Sequence, residues 1–234
     1  MSAGDRWRPL GAEFVGSAGL AAIVVGSGAA AASLTDDVAL ALLINAVATA
    51  FGLFVLIEVF GPVSGAHFNP VVSLVDVVGE RRRSATDLTG YLPTQLLGCI
   101  VGAVLANLMF GRPAVAWSAT DRATPAHLLA EVVATAGLVL VIFALVRFRK
   151  PHVIPMAVGA YIGAAYFFTS STSFANPAIT VGRMFTDTFA GIAPSSVLPF
   201  VAAQLVGGIV GALVLVAIFG SRTDRASADP SPRS

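Results

Sequence analysis

Long apolar segments alternate with short polar connections along the chain, and six of these segments are long enough to span a bilayer as helices. A spanning helix needs about 20 residues. Two further apolar stretches, near residues 69–79 and 176–188, are too short to cross. The pattern predicts two half-length helices and six long ones, the latter at residues 11–33, 38–61, 88–110, 126–147, 153–170 and 196–220.

A short motif precedes each half-length segment, once in each half of the chain. The first copy is Asn69-Pro70-Val71 and the second is Asn176-Pro177-Ala178. Asn is a favoured N-cap, and Pro at the first helical position sacrifices no hydrogen bond. A lone Asn-Pro pair usually marks only a turn. Two pairs at matching places instead predict the starts of two equivalent half helices.

The two halves of the chain repeat each other beyond this motif. Glu13 and Glu131 match in the first helix of each half, and Gln95 and Gln204 match in the third. Each half contains three spanning helices, an odd number, so the second half must lie inverted in the bilayer. Inverted repeats with broken helices place their site near the midplane.

The predicted fold is therefore an all-α membrane protein with six transmembrane helices and two re-entrant half helices in an inverted 3+3 repeat. We expect one transmembrane domain at residues 1–220, with repeats at about 10–110 and 126–220. Residues 221–234 are rich in Ser, Asp, Arg and Pro, and are expected to form a disordered tail.

Composition supports the membrane assignment. Hydrophobic residues make up 56% of the 234 residues and charged residues only 12%, about half the share in soluble domains. The net charge of +1 gives no argument for nucleic acid binding. The single cysteine, Cys99, excludes an intrachain disulfide. The first apolar segment is too long for a cleavable signal peptide and is expected to be the first spanning helix.

Basic residues predict the orientation, because cytoplasmic loops carry an excess of Lys and Arg. With both termini in the cytoplasm, only Arg112, Arg122 and Arg183 fall outside. The basic residues that then lie inside are Arg81, Arg82, Arg83, Arg147, Arg149, Lys150, Arg222, Arg225 and Arg233.

The segments leading into the half helices, residues 64–68 and 170–175, are non-helical backbone at membrane depth. Such backbone is tolerated where it is buried in protein or lines a wet cavity. Its carbonyls would offer acceptors, and the Asn69 and Asn176 amides would offer donors, to a small uncharged solute. Two converging positive helix ends oppose cations and protons. The pattern indicates a passive channel for neutral molecules.

Glu13 and Glu131 are carboxylates inside spanning helices, where such groups often serve a function such as proton coupling. Because they form a symmetric pair, we favour a structural interpretation. Both are expected to accept hydrogen bonds from amides of the re-entrant loops, with Gln95 and Gln204 in support. His67 either lines the path or only holds the loop.

The sequence SGAHFNP at residues 64–70, followed by the second Asn-Pro-Ala, resembles the aquaporin, or major intrinsic protein, family. The resemblance covers about residues 10–220. It implies a homotetramer with one pore in each protomer, in a bacterial-type inner (plasma) membrane. No nucleophile–base set or metal-ligand cluster is evident, so we expect no enzymatic activity and no cofactor.

Two departures from the family pattern bear on what passes. Val71 stands where the first motif usually has Ala, which is a mild change. Ile179 stands where the family usually has an Arg directly after the second motif, as one wall of a narrow filter. The nearest arginine, Arg183, is one helical turn further on. An Arg at this place narrows the pore and repels cations, and Ile does neither.

Spacing from the two Asn residues places the other filter positions at Thr49, Ala164 and Ser173. A gap in either loop would substitute Phe51 for Thr49 or Tyr166 for Ala164, and Arg183 is the alternate to Ile179. The set of Thr, Ala, Ser and Ile would form a wide constriction of mostly small side chains. Such a constriction favours solutes larger than water.

Residues 174–180 and 187–192 are similar to a bacterial subgroup of the family that resembles aquaglyceroporins and accompanies arsenic-resistance genes. In that subgroup an aliphatic residue likewise replaces the filter arginine. The resemblance implies arsenous acid, As(OH)₃, and related neutral arsenicals as substrates, beside water and glycerol-sized polyols. Arsenous acid is neutral at pH 7 and about the size of glycerol, so it fits the expected pore.

Two alternative functions stay open. One is a water-selective aquaporin. The other is a proton-coupled secondary transporter, which would also use inverted repeats and broken helices. Such a transporter needs a titratable residue on the path, and Glu58 is the candidate that has no symmetric counterpart. Flux that is independent of pH and Na⁺ would exclude it.

Overall fold

A computed structural model describes residues 7–80 and 83–220, and this part of the chain is helical with short connections. Its eight α-helices are α1 (Trp7–Leu34), α2 (Val38–Ser64), α3 (Pro70–Val78), α4 (Ala85–Met109), α5 (Pro125–Arg147), α6 (Ile154–Phe168), α7 (Pro177–Arg183) and α8 (Pro194–Phe219). A 3-10 turn, Pro151–Val153, precedes α6. The predicted tail at 221–234 and the basic residues Arg81 and Arg82 lie outside the described residues.

Within residues 7–80 and 83–220, six helices are long and apolar enough to cross a membrane, if α6 is counted together with its 3-10 turn. They are α1, α2, α4, α5, α6 and α8, and the predicted six spans and two half helices are confirmed. The second half helix is shorter than expected, because α7 ends at Arg183 instead of near residue 188. The following residues turn away, since Thr186 donates its hydroxyl to Asn107 on α4 at 2.7 Å.

The repeat is also visible in how the helices pack. Within the first half α4 packs closely on α1, and within the second half α8 packs on α5. Gly102 lies against α1, where an added Cβ would come 2.0 Å from the Ala18 carbonyl oxygen. Gly211 lies against α5 in the same way, 2.6 Å from the Ala136 carbonyl oxygen. Small residues allow this backbone approach, so Gly102 and Gly211 permit equivalent close packing in the two halves.

A buried ion pair joins the ends of three helices. Arg147, the last residue of α5, donates two hydrogen bonds through Nε and Nη2 to the Glu80 carboxylate that follows α3. Its Nη1 donates to the Leu215 and Gly220 carbonyls at the end of α8. Both charged side chains are almost fully buried. The pair therefore ties the first repeat to the second.

Glu80→Ala should destabilise the protein by about 3–5 kcal/mol, because it leaves the buried Arg147 guanidinium without its carboxylate. Thermal unfolding of the purified protein in detergent measures the effect. Glu58→Ala, which removes an exposed carboxylate, is the matched control and should unfold within a degree or two of wild type. Equal unfolding temperatures for the two variants would show that the ion pair contributes nothing.

Candidate functional site

A cavity of about 640 Å³ lies between the two repeats. The side of α2 that lines it carries Thr49, Leu53, Ile57 and Gly61, which are four residues apart and share one helix face. The twelve residue steps from Thr49 to Gly61 cover roughly 18 Å of helix. The cavity is thus long in the direction of the spanning helices, and most of its walls are apolar side chains.

The two ends of the cavity differ in chemistry. Glu58, Asp87 and His152 line one end, here named the Glu58 end. The other end, here named the Arg183 end, is lined by the hydroxyls of Thr49, Tyr166 and Ser173, by Ile179 and by Arg183. Asn69 and Asn176 line the stretch between the two ends.

Each motif Asn caps its own half helix. The Asn69 Oδ1 accepts a hydrogen bond from the Val71 amide at 2.9 Å, and the Asn176 Oδ1 accepts one from the Ala178 amide at 2.9 Å. Both Asn residues have extended backbone, and a Pro follows each at the first helical position. The two motifs therefore start α3 and α7 in the manner that the sequence predicted.

The two Asn side chains also bind the opposite loops. The Asn69 Nδ2 donates to the Ala175 carbonyl at 2.7 Å, and the Asn176 Nδ2 donates to the Phe68 carbonyl at 2.7 Å. Each accepting carbonyl belongs to the residue before the other Asn. One hydrogen of each amide is used in this exchange, so one remains for a solute in the cavity.

Both re-entrant loops hold backbone in the left-handed region at matching places. Ala66 and Phe68 have φ of 48° and 49° in the first loop, and Ser173 and Ala175 have φ of 53° and 48° in the second. Residues with a Cβ rarely adopt this conformation. Such strain persists only where surrounding contacts impose it, and it clusters at functional sites.

Glu13 supplies those contacts for the first loop. Its Oε1 accepts hydrogen bonds from the Ser64 hydroxyl at 2.7 Å and the His67 amide at 2.9 Å. Its Oε2 accepts from the Phe68 amide and from the Gln95 Nε2, both at 2.8 Å. The loop contacts expected for this carboxylate are therefore present, and Gln95 holds it from the far side.

Glu131 makes the same four contacts in the second half. It accepts from the Ser171 hydroxyl at 2.6 Å, the Phe174 amide at 2.9 Å and the Ala175 amide at 2.8 Å. The fourth donor is the Gln204 Nε2 at 2.7 Å. The two buried carboxylates therefore have equivalent networks, each with its acceptor capacity largely filled by the protein.

Replacing Glu131 should lower stability in the order wild type, Glu131→Gln, Glu131→Leu. Gln keeps one acceptor oxygen, whereas Leu leaves the buried Phe174 and Ala175 amides without a partner, at about 1–3 kcal/mol each. Thermal unfolding in detergent provides the measurement, with Glu58→Leu as the exposed control. A Gln variant of wild-type stability whose transport acquires a new pH dependence would favour a role in proton coupling.

His67 has both of the roles that the sequence left open. It lines the cavity, and its Nδ1 lies 3.0 Å from the Ser73 hydroxyl on α3. Its ring also packs edge-on against Tyr91 of α4 at 5.6 Å. The side chain is therefore fixed on two sides while it borders the path.

Val71 does not line the cavity, although it follows the first motif Asn-Pro. It is buried against α8, where an added Cβ on Gly208 would lie 2.5 Å from the Val71 Cγ1. The absence of a side chain at Gly208 thus provides the room that Val needs in place of Ala. Ala178, its counterpart in the second motif, is fully buried.

The structure corrects the expected filter position on α6, which is Tyr166 and not Ala164. Ala164 is exposed on the outer surface of α6, whereas Tyr166, the alternate, is buried and lines the Arg183 end. Two residues correspond to about 200° around a helix, so only one of them can face the cavity. The Tyr166 hydroxyl lies 3.0 Å from the Thr49 hydroxyl on α2. Phe51, the alternate to Thr49, is 68% exposed and does not line the cavity.

Arg183 reaches the cavity although it follows Ile179 by one turn. Its guanidinium carbon lies 3.4 Å from the centre of the Phe174 ring, and its Nε donates to the Ala190 carbonyl. Arg122, from the connection between α4 and α5, lies 5.4 Å from the same ring. Sequence reasoning did not identify Arg122 as a site residue. No local pattern links it to Phe174, which is 52 positions away.

Comparisons with known proteins agree on one family. A sequence model described as Major intrinsic protein matches residues 1–173 and 153–233. The chain is 48% identical over 205 residues to the aquaglyceroporin AqpS of Rhizobium meliloti, covering 88% of this chain and 87% of that protein. It is 31% identical to aquaporin Z of Brucella melitensis, covering 90% of this chain and 97% of that protein.

A solved structure shares the fold. The X-ray structure of the aquaglyceroporin from Plasmodium falciparum superposes with a TM-score of 0.69 over 95% of this chain and 99% of that one. The sequence identity is 22%, so this likeness concerns the arrangement of the helices alone.

Proposed function

The chain belongs to the major intrinsic protein family, whose members are membrane channels and not enzymes, and on that premise we propose that its pore conducts uncharged solutes up to the size of glycerol. Water, glycerol-sized polyols and arsenous acid are the proposed solutes. The relative with 48% identity is named an aquaglyceroporin, which supports the glycerol part of the proposal.

The observation that carries the proposal is the side chain of Ile179 at the Arg183 end of the cavity. It stands directly after the second motif and lines the cavity beside Thr49 and Ser173. An aliphatic wall next to hydroxyl groups suits a solute that has both a hydrocarbon or metalloid surface and several hydroxyls. Arsenous acid and glycerol both present three hydroxyls around a compact centre.

The described contacts support a passive path past the two Asn residues. Loop residues Gly65 to Asn69 border the cavity, and each motif amide keeps one hydrogen for a passing oxygen. A solute can therefore exchange water for protein donors and acceptors in sequence, which is how such pores replace a hydration shell. The positive charge of Arg183 at one end opposes cations.

Proton coupling is not favoured by the arrangement of carboxylates. Glu13 and Glu131 each accept four hydrogen bonds from the protein, which satisfy the charged form of each carboxylate. In addition, neither group lines the cavity. Glu58 does line it, but it is exposed at the end. We propose that Glu58 borders the mouth and takes no part in coupling.

We also propose that the Glu58 end faces the cytoplasm and that the channel is a homotetramer in the plasma membrane. Arg83 lines the cavity, and Arg147, Arg149 and Lys150 lie in the segment between the lining residues Val146 and Pro151. These basic residues support the orientation. The tetramer is inferred from the family alone. Light scattering of the detergent-solubilised protein tests it, and a mass equal to one protomer would contradict it.

Osmotic swelling and uptake in proteoliposomes test the proposed solutes. We expect glycerol and arsenous acid to permeate well above protein-free liposomes, with rates that rise linearly with the gradient. Water permeability should also exceed the lipid background. Water flux without any glycerol flux would instead indicate a water-selective channel. Glycerol flux without arsenous acid flux would contradict the proposal that arsenous acid permeates.

A further inference from the structure

Two arginines from distant parts of the chain meet at one aromatic ring beside the pore. Arg183 of α7 and Arg122 of the connection between α4 and α5 lie 3.4 Å and 5.4 Å from the centre of the Phe174 ring. Both distances end on the same ring, so the two guanidinium groups can lie no further apart than the sum of these lengths. The pair is named here the arginine pair.

The same loop fixes both members of the arginine pair. The Arg122 Nε donates to the Gly191 carbonyl at 2.7 Å and its Nη2 donates to the Phe189 carbonyl at 3.0 Å. The Arg183 Nε donates to the Ala190 carbonyl, which lies between them. Three consecutive carbonyls of one loop thus fix the positions of both guanidinium groups.

Several guanidinium N–H groups remain unused by the protein. In the described part of the chain, no hydrogen-bond partner is found for Nη1 or Nη2 of Arg183 or for Nη1 of Arg122. None of these three nitrogens is among the buried side-chain atoms that lack a partner, so they border open space. Arg183 itself lines the cavity. The free Arg183 donors therefore border the pore.

Among residues 7–80 and 83–220, no carboxylate forms an ion pair with either arginine. The adjacent Asp121 is directed elsewhere, because it accepts from the Ser196 hydroxyl at 2.5 Å and the Ala123 amide at 3.1 Å. The Glu131 oxygens are occupied by loop donors. Burial lowers the pKa of Arg122, because desolvation disfavours the charged guanidinium.

We propose that the arginine pair is a binding subsite for a small oxyanion, such as inorganic phosphate or a short carboxylate, at the Arg183 end of the pore. Guanidinium groups bind oxyanions through parallel N–H···O bonds, and two of them can share the oxygens of one anion. A bound anion would occupy the end of the path. External oxyanion would then compete with neutral solutes for access to the channel.

The location of this subsite at a pore mouth rests on the proposed function, but binding does not. The first experiment therefore measures binding alone, as thermal unfolding of the purified full chain in detergent with inorganic phosphate or with chloride at equal ionic strength. Phosphate should raise the wild-type unfolding temperature by about 2 °C or more, because a ligand that binds only the folded state stabilises it.

Variants of the arginine pair decide whether this shift belongs to the proposed subsite. Arg122→Gln and Arg183→Gln should each lose most of the phosphate shift. Arg112→Gln, which removes an exposed arginine from the same connection, should keep it. Arg122→Lys keeps the charge but lacks the planar guanidinium, so it should retain only part of the phosphate shift. A wild-type shift no larger in phosphate than in chloride, or an equal shift in all variants, would overturn the proposal.

The second experiment places the subsite in the pore. Glycerol flux into proteoliposomes is measured with phosphate replacing chloride on both sides at constant osmolarity and ionic strength. At a phosphate concentration near its dissociation constant, glycerol flux through the wild type and Arg112→Gln should fall about twofold. Flux through Arg122→Gln should change little. Phosphate binding without any change in flux would show that the anion lies outside the path. Absence of glycerol flux in every variant would contradict the proposed function and leave the thermal result to decide the subsite.

Discussion

Ile179→Arg is expected to reduce glycerol and arsenous acid uptake by about tenfold, equivalent to about 1.4 kcal/mol in the barrier, while water flux falls much less. The Ile179 side chain lines the Arg183 end beside Thr49 and Ser173. A guanidinium there is longer, carries five donors, and is repelled by the charge of Arg183, so it would extend into the path. Paired swelling assays with glycerol and water measure the ratio of the two permeabilities.

The matched control is Ile179→Val, which keeps an aliphatic wall and should leave both permeabilities within about twofold, because it removes only one methylene. Arg183→Ala should alter size selection less than Ile179→Arg. If arsenous acid flux is unchanged in Ile179→Arg but abolished in Arg183→Ala, then Arg183 sets the constriction. The proposal of a wide pore would then be wrong.

Asn176→Ala is expected to reduce the flux of all solutes by at least about tenfold in protein that still inserts. The change removes the cap of α7, at about 1 kcal/mol, and the hydrogen bond from Nδ2 to the Phe68 carbonyl at 2.7 Å. It also removes the donor that remains for the solute. Asn69→Ala should act alike, because its contacts are equivalent.

Two control variants separate the pore from general stability in this experiment. Asn107→Ala removes a buried Asn that binds loop carbonyls and Thr186 away from the cavity, so it should lower stability without blocking flux. Asn176→Asp can keep the capping oxygen but loses the Nδ2 donor. Wild-type flux in Asn176→Ala at normal expression would contradict the placement of the pore.

The repeated features of the fold could be predicted because their causes are local or symmetric. The N-caps at Asn69 and Asn176 depend on neighbouring residues. The matching positions of Glu13 and Glu131 also indicate equivalent partners. Each half contains one re-entrant loop whose amides need an acceptor. Two copies of one pattern thus provide information that a single copy lacks.

The residue of α6 that faces the cavity cannot be predicted by counting back from Asn176, because the count crosses a non-helical loop. Residues 169–176 include three left-handed residues, Thr172, Ser173 and Ala175, so the number of residues does not determine the rotation of α6. The count therefore selected Ala164, although Tyr166 faces the cavity. Thr49, which the same kind of count gives on α2, lines the cavity.

Other parts of the site depend on contacts between residues far apart in the chain. Arg122 meets Phe174, and Glu80 meets Arg147, only after the helices have packed. The early end of α7 likewise depends on Asn107, which accepts the Thr186 hydroxyl. Such pairings have no signature in local sequence, and a single sequence cannot reveal them.

The central claim is that this chain is a passive channel for neutral solutes of glycerol size. Its most direct test is glycerol swelling of proteoliposomes that contain only the purified full chain, at acid, neutral and alkaline pH, with and without Na⁺. We expect glycerol flux above protein-free liposomes that rises linearly with the gradient and is unchanged by pH or Na⁺. Water flux without glycerol flux, or glycerol accumulation driven by a proton or Na⁺ gradient, would contradict it.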